Sequence, residues 1–176
     1  MKQFFFFAAL FISVTHLAAD DKSFREKETG FIRELFSSKR YFDCIAESRK
    51  LQNKDNKAKV EYFVYSNYYL AGQYASVILN YSPDLSVDEM KFPSALLVAS
   101  SYLKAGFYNE SYELLKIFEY SELPEKNIFP MFLRRVEPLL LSGEMEKIQK
   151  EIGSSEIFLK DSHNFMKLRE ELQLYA

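Results

Sequence analysis

Apolar residues recur at helical spacing in four long segments, and a shorter segment of the same kind follows each one. The long segments are residues 24–38, 57–71, 92–105 and 129–142. Residues three or four positions apart lie on one face of an α-helix, so this spacing predicts helices with one buried face. Because only five Gly and five Pro interrupt the chain, we predict an all-α protein.

A short motif separates each long segment from the shorter one after it. The first three copies are Lys39–Ile45, Gly72–Ile78 and Gly106–Tyr112, at spacings of 33 and 34 residues. A weaker fourth copy, Gly143–Ile148, follows 37 residues later. Gly permits the positive φ angle at which many helices end, so each motif is expected to end one helix and begin the next. The sequence therefore predicts four helical hairpins in tandem.

Two of the motifs share a longer pattern, because Tyr68–Tyr74 and Tyr102–Tyr108 both read Tyr-x-x-Ala-Gly-x-Tyr. The pattern resembles the tetratricopeptide repeat family, and the resemblance covers residues 25 to about 155. It implies a right-handed α-solenoid of about four hairpins within residues 20–176. A Sel1-like or other helical-hairpin relative is the alternative. The expected repeats span about 25–57, 58–91, 92–128 and 129–160, with a capping helix at 161–174.

Prolines and polar residues place the helix ends more closely. Pro is tolerated in the first helical turn, so Pro93 and Pro130 are expected to mark helix starts. Pro138 falls inside the first helix of the fourth hairpin and predicts a kink there. Asp161 and Ser162 offer an N-cap for the C-terminal capping helix.

The N-terminus has the form of a secretory signal peptide. One positive charge precedes an apolar run at residues 4–14, and the small residues Ala18 and Ala19 precede two Asp residues. Residues 1–19 are therefore predicted to direct export to the periplasm or cell envelope, or secretion. The apolar run is shorter than a membrane-spanning helix requires, although an uncleaved anchor is an alternative.

The overall charge gives no indication of a nucleic-acid partner. The chain carries 23 Lys and Arg against 25 Asp and Glu, for a net charge of -2, and no basic run exceeds two residues. Neutralising a phosphate backbone requires a stripe of positive charge that this sequence lacks.

The sequence offers little material for catalysis. Its single Cys, Cys44, shares a repeat position with Val77 and Ser111, which favours a small buried residue over a reactive thiol. Of the two His residues, His16 lies in the predicted signal peptide and His163 near a helix start, where a solvated role is favoured. We predict no enzyme activity, no metal and no cofactor.

The resemblance also implies a binding surface on the concave side of the solenoid. Its residues are aromatic, aliphatic and rarely charged, which suits an apolar or extended peptide. The alternative is that several of them pack between helices. The implied positions are Arg33, Phe36, Tyr62, Ser66, Tyr69, Leu96, Ser100, Leu103, Leu133, Glu137 and Leu140.

These features predict an exported scaffold that binds a protein or peptide partner. Two alternatives are open. The repeats could support a catalytic or noncatalytic subunit of an envelope enzyme complex. An incompletely capped end could also join two copies in a homo-oligomer.

Overall fold

The computed structural model describes residues 26–53, 56–81 and 88–173. Within these ranges all regular secondary structure is helical, which confirms the predicted all-α class. The predicted signal peptide, residues 1–19, lies outside the described residues. No helix in the described ranges is both long enough and apolar enough to span a membrane. The chain divides into an N-terminal unit, residues 1–97, and a C-terminal unit, residues 98–176, and the division falls within one helix.

The N-terminal unit is built from consecutive helices, each packed on the next from α1 to α4. Part of its core is a cluster of Ile45, Val60 and Val64, against which Tyr68 packs. Burying apolar side chains of this size contributes about 1.5–3 kcal/mol each. The helices are α1 (Glu26–Ser37), α2 (Tyr41–Lys50), α3 (Lys57–Leu70), α4 (Tyr74–Asn80) and α5 (Asp88–Lys104), the last of which continues into the C-terminal unit.

In the C-terminal unit, α7 packs against both α6 and α8, and a short 3-10 helix packs against α8. The Phe165 ring of the last helix meets the Phe132 ring of α7 edge to face, at 5.1 Å between centroids. The remaining elements are α6 (Tyr108–Lys116), the 3-10 helix (Tyr120–Glu122), α7 (Glu125–Ser142), α8 (Met145–Leu159) and α9 (His163–Gln173).

The four motif copies end their first helices in the same way. Lys39, Gly72, Gly106 and Gly143 have φ angles of 58°, 74°, 84° and 75°. In each copy the following residue donates its backbone N–H to the carbonyl five residues earlier, at 2.8–2.9 Å. This is the Schellman ending of a helix. A residue with left-handed backbone angles turns the chain so that backbone N–H groups donate to the last helical carbonyls, which would otherwise lack donors. The predicted helix ends are confirmed, including the copy in which Lys replaces Gly.

A hydrogen bond between the two helices of a hairpin also recurs. The Cys44 thiol on α2 donates to the carbonyl of Ile32 on α1, at 3.6 Å from sulfur to oxygen. The Ser111 hydroxyl on α6 donates to the carbonyl of Ala99 on α5, at 2.8 Å. Both donors lie twelve residues after their acceptors. With Val77 also fully buried, the small-residue position predicted from the motif is confirmed.

The helix starts predicted from Pro93 and Pro130 are wrong. Each proline is the sixth residue of its helix, because α5 begins at Asp88 and α7 at Glu125. A proline in the second turn removes one backbone hydrogen bond, but the preceding residues are good helix formers, and Glu125 favours a first turn. Helix α7 also continues through the buried Pro138 to Ser142.

The C-terminal helix begins at the predicted cap. The backbone N–H of Phe165 donates to the Ser162 hydroxyl at 3.4 Å, so Ser162 caps α9 as expected. Phe165 and Leu172 are buried on one face of the helix, while His163 is exposed at its start. The predicted amphipathic terminal helix is confirmed.

Candidate partner-binding surface

One face of α7 is exposed and largely apolar. Its residues recur every three or four positions and therefore lie along one side of the helix. Leu133, Leu140 and Leu141 are 40%, 45% and 57% exposed. An Arg134–Glu137 ion pair with 3.6 Å between nitrogen and oxygen lies among them. We call this face the α7 outer stripe, defined by Pro130, Leu133, Arg134, Glu137, Leu140 and Leu141.

The opposite face of α7 holds the helix in the C-terminal unit. Met131, Phe132 and Leu139 are fully buried there, and Val136 is 2% exposed. These side chains fall on the side of the helix that packs against α6 and α8. Because so much apolar surface is buried on one side, rotating α7 to hide the outer stripe would expose the core. The stripe therefore faces solvent as a consequence of packing.

A buried polar group also anchors α7. It consists of Tyr112, Tyr120, Arg135 and Glu151, which we call the Arg135 cluster. The hydroxyls of Tyr112 and Tyr120 each donate to one oxygen of the Glu151 carboxylate, both at 2.9 Å. The Arg135 guanidinium lies 3.3 Å from the same carboxylate. The cluster thus joins α6, the 3-10 helix, α7 and α8 through one acidic side chain.

The guanidinium makes further contacts that fix its position. It donates to the carbonyl of Leu115 at 3.1 Å and to that of Phe118, close to the end of α6 where carbonyls lack helical donors. Its central carbon lies 4.5 Å from the centre of the Tyr120 ring, a cation–π arrangement. A charge this well buried is tolerated only when it is paired and hydrogen-bonded, as Arg135 is.

Burial changes the acidity of both tyrosines. It is the main cause that raises the pKa of Tyr112 and Tyr120 well above the ordinary value, and the Glu151 carboxylate raises each further because it disfavours a second negative charge. The Arg135 guanidinium opposes this effect only in part. Both hydroxyls therefore stay protonated and remain donors at neutral pH.

The Arg135 cluster was not predicted from the sequence. Its members are joined by hydrogen bonds between residues 16 to 39 positions apart, which helical periodicity does not reveal. One signal was present: Arg135 and Glu151 occupy positions on the apolar faces of α7 and α8. Charged residues at two core positions in adjacent helices are typical of a buried pair.

The predicted surface residues differ widely in exposure. Arg33, Leu133, Glu137 and Leu140 are exposed, and the last three lie together on the α7 outer stripe. Phe36, Leu96 and Leu103 are half-buried. Tyr62, Ser66, Tyr69 and Ser100 are buried.

The buried members have contacts that explain their positions. The Ser66 hydroxyl donates to the carbonyl of Tyr62 at 2.8 Å, within α3. The Tyr69 ring meets the Tyr74 ring edge to face at 5.3 Å, across the turn of the same hairpin. Near α1, the half-buried Phe36 ring lies 5.9 Å from that of Phe63. The burial of Tyr62, Ser66, Tyr69 and Ser100 agrees with the alternative raised from the sequence, in which several of the predicted residues pack between helices.

The single cysteine is in the core. Cys44 is fully buried, and burial raises the pKa of its thiol to about 11, so it is protonated at neutral pH. Among the described residues, no group of three His, Cys, Asp or Glu side chains is arranged to hold a metal ion. The exposed large apolar side chains in the described part of the C-terminal unit include Leu133, Leu140 and Leu141 of the α7 outer stripe, together with Phe107, Ile117, Ile157 and Phe158.

Comparison with known proteins finds no matching family model, no matching curated protein and no matching solved structure. Membership of the tetratricopeptide repeat family therefore stands as a proposal drawn from the repeat motif.

Proposed function

We propose that this protein is an exported helical-repeat scaffold of the tetratricopeptide type that binds a protein partner through the α7 outer stripe. The repeated Schellman endings and the recurring bond between the helices of a hairpin support a tandem repeat. A right-handed solenoid closed by α9 is the architecture that such repeats would form. The observation that carries the binding role is the exposure of Leu133, Leu140 and Leu141 on a firmly anchored helix.

The geometry of the stripe defines the partner that fits it. Leu133 and Leu140 are seven residues apart, which places them roughly 10 Å apart along the helix. A partner needs two apolar side chains on one face at a similar separation, which a helix provides at positions i and i+7. The Arg134–Glu137 pair between the leucines offers polar groups to the backbone or side chains of such a segment.

The signal peptide predicted at residues 1–19 supports a location for this binding in the periplasm or cell envelope, or outside the cell. Mature protein recovered from cells should begin at Ala19 or Asp20, after removal of the predicted signal peptide, and intact mass spectrometry will measure this. Recovery of the full-length chain in membranes would favour the uncleaved anchor instead. A role as a catalytic subunit gains no support from Cys44, whose thiol is buried and protonated.

Site-specific photocrosslinking tests the assignment. A photoreactive amino acid is placed at Leu140 on the α7 outer stripe or at Ile157 on α8, in the full chain expressed with its own N-terminus. Ile157 is the matched control because it is also apolar and is 75% exposed, but it lies on another helix. Adducts are identified by mass spectrometry after crosslinking in intact cells.

The two positions should behave differently. The proposal predicts a discrete adduct to a single protein at Leu140 and none to that protein at Ile157. The crosslinked peptide of the partner should contain two apolar residues with the separation given above. No adduct at Leu140, or the same adduct at both positions, would exclude the α7 outer stripe as the binding surface.

A further inference from the structure

The α7 outer stripe itself has the features that it requires of a partner. The partner that fits it carries two apolar side chains seven residues apart on one face of a helix. Leu133 and Leu140 are such a pair, and both are exposed on an 18-residue helix. A second copy of this chain therefore presents a surface with the matching separation.

The distribution of side chains around the stripe favours an antiparallel pair of helices. Successive residues of an α-helix are turned by about 100°, so Leu133 and Leu140 lie to one side of Glu137. Arg134 and Leu141 lie to its other side. A two-fold axis perpendicular to the helix at the middle of the stripe keeps like sides together, and it sets Leu133 opposite Leu140 of the second copy. A parallel pair would place the leucines against Arg134 and Leu141 instead.

The charges of the stripe cancel in such a pair. Arg134 and Glu137 form an ion pair of 3.6 Å, and their side chains are 22% and 51% exposed. Two copies bring two arginines and two glutamates close to the two-fold axis, with no net charge. Charges of one sign gathered at an interface repel, whereas a balanced set does not. The stripe is thus complementary to itself in charge as well as in the spacing of its leucines.

The size of the stripe sets the strength that such a dimer should have. Helix α7 has 18 residues, so it is roughly 27 Å long and about 10 Å wide. A standard stable interface covers about 800 Å² on each partner, which is more than one face of this helix provides. The pairing should therefore be reversible and depend on concentration.

We propose that the partner bound by the α7 outer stripe is a second copy of this chain, joined in an antiparallel two-fold dimer. This inference rests on the proposed function, because it names the occupant of the same surface. It differs from association through an incompletely capped end of the repeats, which would use another surface.

Sedimentation velocity of the purified mature chain, over roughly 10 µM to 1 mM, measures the self-association. The parent should change from monomer to dimer within this range. Arg134→Glu gathers four negative charges at the interface, and Glu137→Arg gathers four positive ones. Each variant alone should therefore self-associate at least about tenfold more weakly than the parent.

An equimolar mixture of the two charge variants provides the sharper test. One copy then carries two glutamates and the other two arginines, so their charges balance, and association should return to within about threefold of the parent. Lys50→Glu is the control, because it reverses a charge in the exposed Lys50–Glu47 pair on α2. It should associate as the parent does. Circular dichroism establishes that each variant is folded.

Disulfide formation tests the orientation of the two helices. Copies with Leu133→Cys are mixed with copies with Leu140→Cys and oxidised mildly, while Cys44 stays buried in the core. The antiparallel pair predicts mainly the mixed disulfide. A predominance of disulfides between like positions would contradict the antiparallel order.

The remaining outcomes separate this inference from the proposed function. A chain that stays monomeric, or a mixture of charge variants that does not associate, would overturn the dimer. If Leu140 then still crosslinks to a different protein, the stripe remains a binding surface with another partner. If Leu140 gives no adduct in cells, the proposed function fails as well.

Discussion

Arg135 on α7 and Glu151 on α8 form an ion pair of 3.3 Å in the core of the C-terminal unit, where their side chains are 4% and 6% exposed. Two tyrosine hydroxyls and the guanidinium share the carboxylate, so removal of Glu151 leaves three polar groups without their acceptor. Arg135 lies on α7, the helix that also carries the α7 outer stripe. The ion pair therefore helps to hold the proposed binding surface in place.

Replacing Glu151 with Ala should destabilise the protein by about 3–5 kcal/mol, since it leaves the Arg135 charge buried without its partner. Urea denaturation followed by circular dichroism measures this free energy. The control is Glu137→Ala on the exposed face of α7, which should change it by less than about 0.5 kcal/mol. An equal effect of the two substitutions would contradict the assigned role of the cluster.

A double replacement measures how strongly the two charges of the Arg135–Glu151 pair interact with each other. Arg135→Met combined with Glu151→Leu removes both charges, and it should be less destabilising than the sum of the single replacements by at least about 1 kcal/mol. Strictly additive losses would mean that the two charges are not coupled in the folded protein.

The raised pKa values of Tyr112 and Tyr120 predict a loss of stability in alkaline solution. In the unfolded chain a tyrosine loses its proton near pH 10, whereas in the folded chain these two retain theirs to higher pH. The stability from the protonated hydroxyls is therefore complete below about pH 10 and is lost as the pH rises further. Each tyrosine can contribute a slope of up to about 1.4 kcal/mol per pH unit.

The Tyr120→Phe variant isolates this effect. It should be less stable than the parent at neutral pH, because one hydrogen bond to Glu151 is lost. Its stability should fall less steeply above pH 10, because one titrating group is gone. Urea midpoints across the alkaline range measure both quantities. An identical alkaline slope for variant and parent would show that Tyr120 does not titrate as the structure implies.

The residue at each hairpin turn has a left-handed backbone conformation. Replacing Lys39 with Gly and Gly106 with Ala should therefore change the free energy of unfolding in opposite directions. Lys39→Gly should stabilise the protein by about 1 kcal/mol, because a residue with a side chain is strained at a φ of 58°. Gly106→Ala should destabilise it by a similar amount, although a Cβ there would meet no atom within 4 Å. Gly153→Ala is the control in the middle of α8 and should be stabilising. Urea denaturation checks all three, and a neutral Gly106→Ala would contradict the assigned backbone strain.

Thiol labelling tests the position of Cys44 in the core. Because the thiol is fully buried and its pKa is raised to about 11, it should react with a thiol reagent at least about a hundredfold more slowly in the native protein than in urea. A Ser154→Cys variant adds an exposed thiol on α8, which should react at similar rates in both conditions. Fast native labelling of Cys44 would mean that α1 and α2 do not pack as described.

The features that follow from local sequence were predicted well. The second helices begin at Tyr41, Tyr74, Tyr108 and Met145, the positions set by the repeated motif, because a Schellman ending depends on a few adjacent residues. The starts of α5 and α7 were placed too late, since helix-forming residues before Pro93 and Pro130 outweigh the loss of one hydrogen bond.

Less of the candidate site than of the fold could be predicted from the sequence. Repeat position alone grouped Tyr62, Ser66 and Tyr69 with Leu133 and Leu140, yet the first three are buried and the last two are exposed. Exposure depends on which neighbouring helix covers each position, and the repeat register does not contain that information. The same limit concealed the Arg135 cluster, whose contacts are set by tertiary packing.

The affinity of the crosslinked partner for purified variants tests the central claim most directly. Leu133→Asp combined with Leu140→Asp introduces two charges on the α7 outer stripe, at exposed positions where the fold should be retained. The control pair, Leu79→Asp with Ile157→Asp, places the same charges at positions 84% and 75% exposed elsewhere. The account predicts that the stripe variant loses at least about a hundredfold in affinity and the control less than about threefold. Equal affinities for the two folded variants would contradict it.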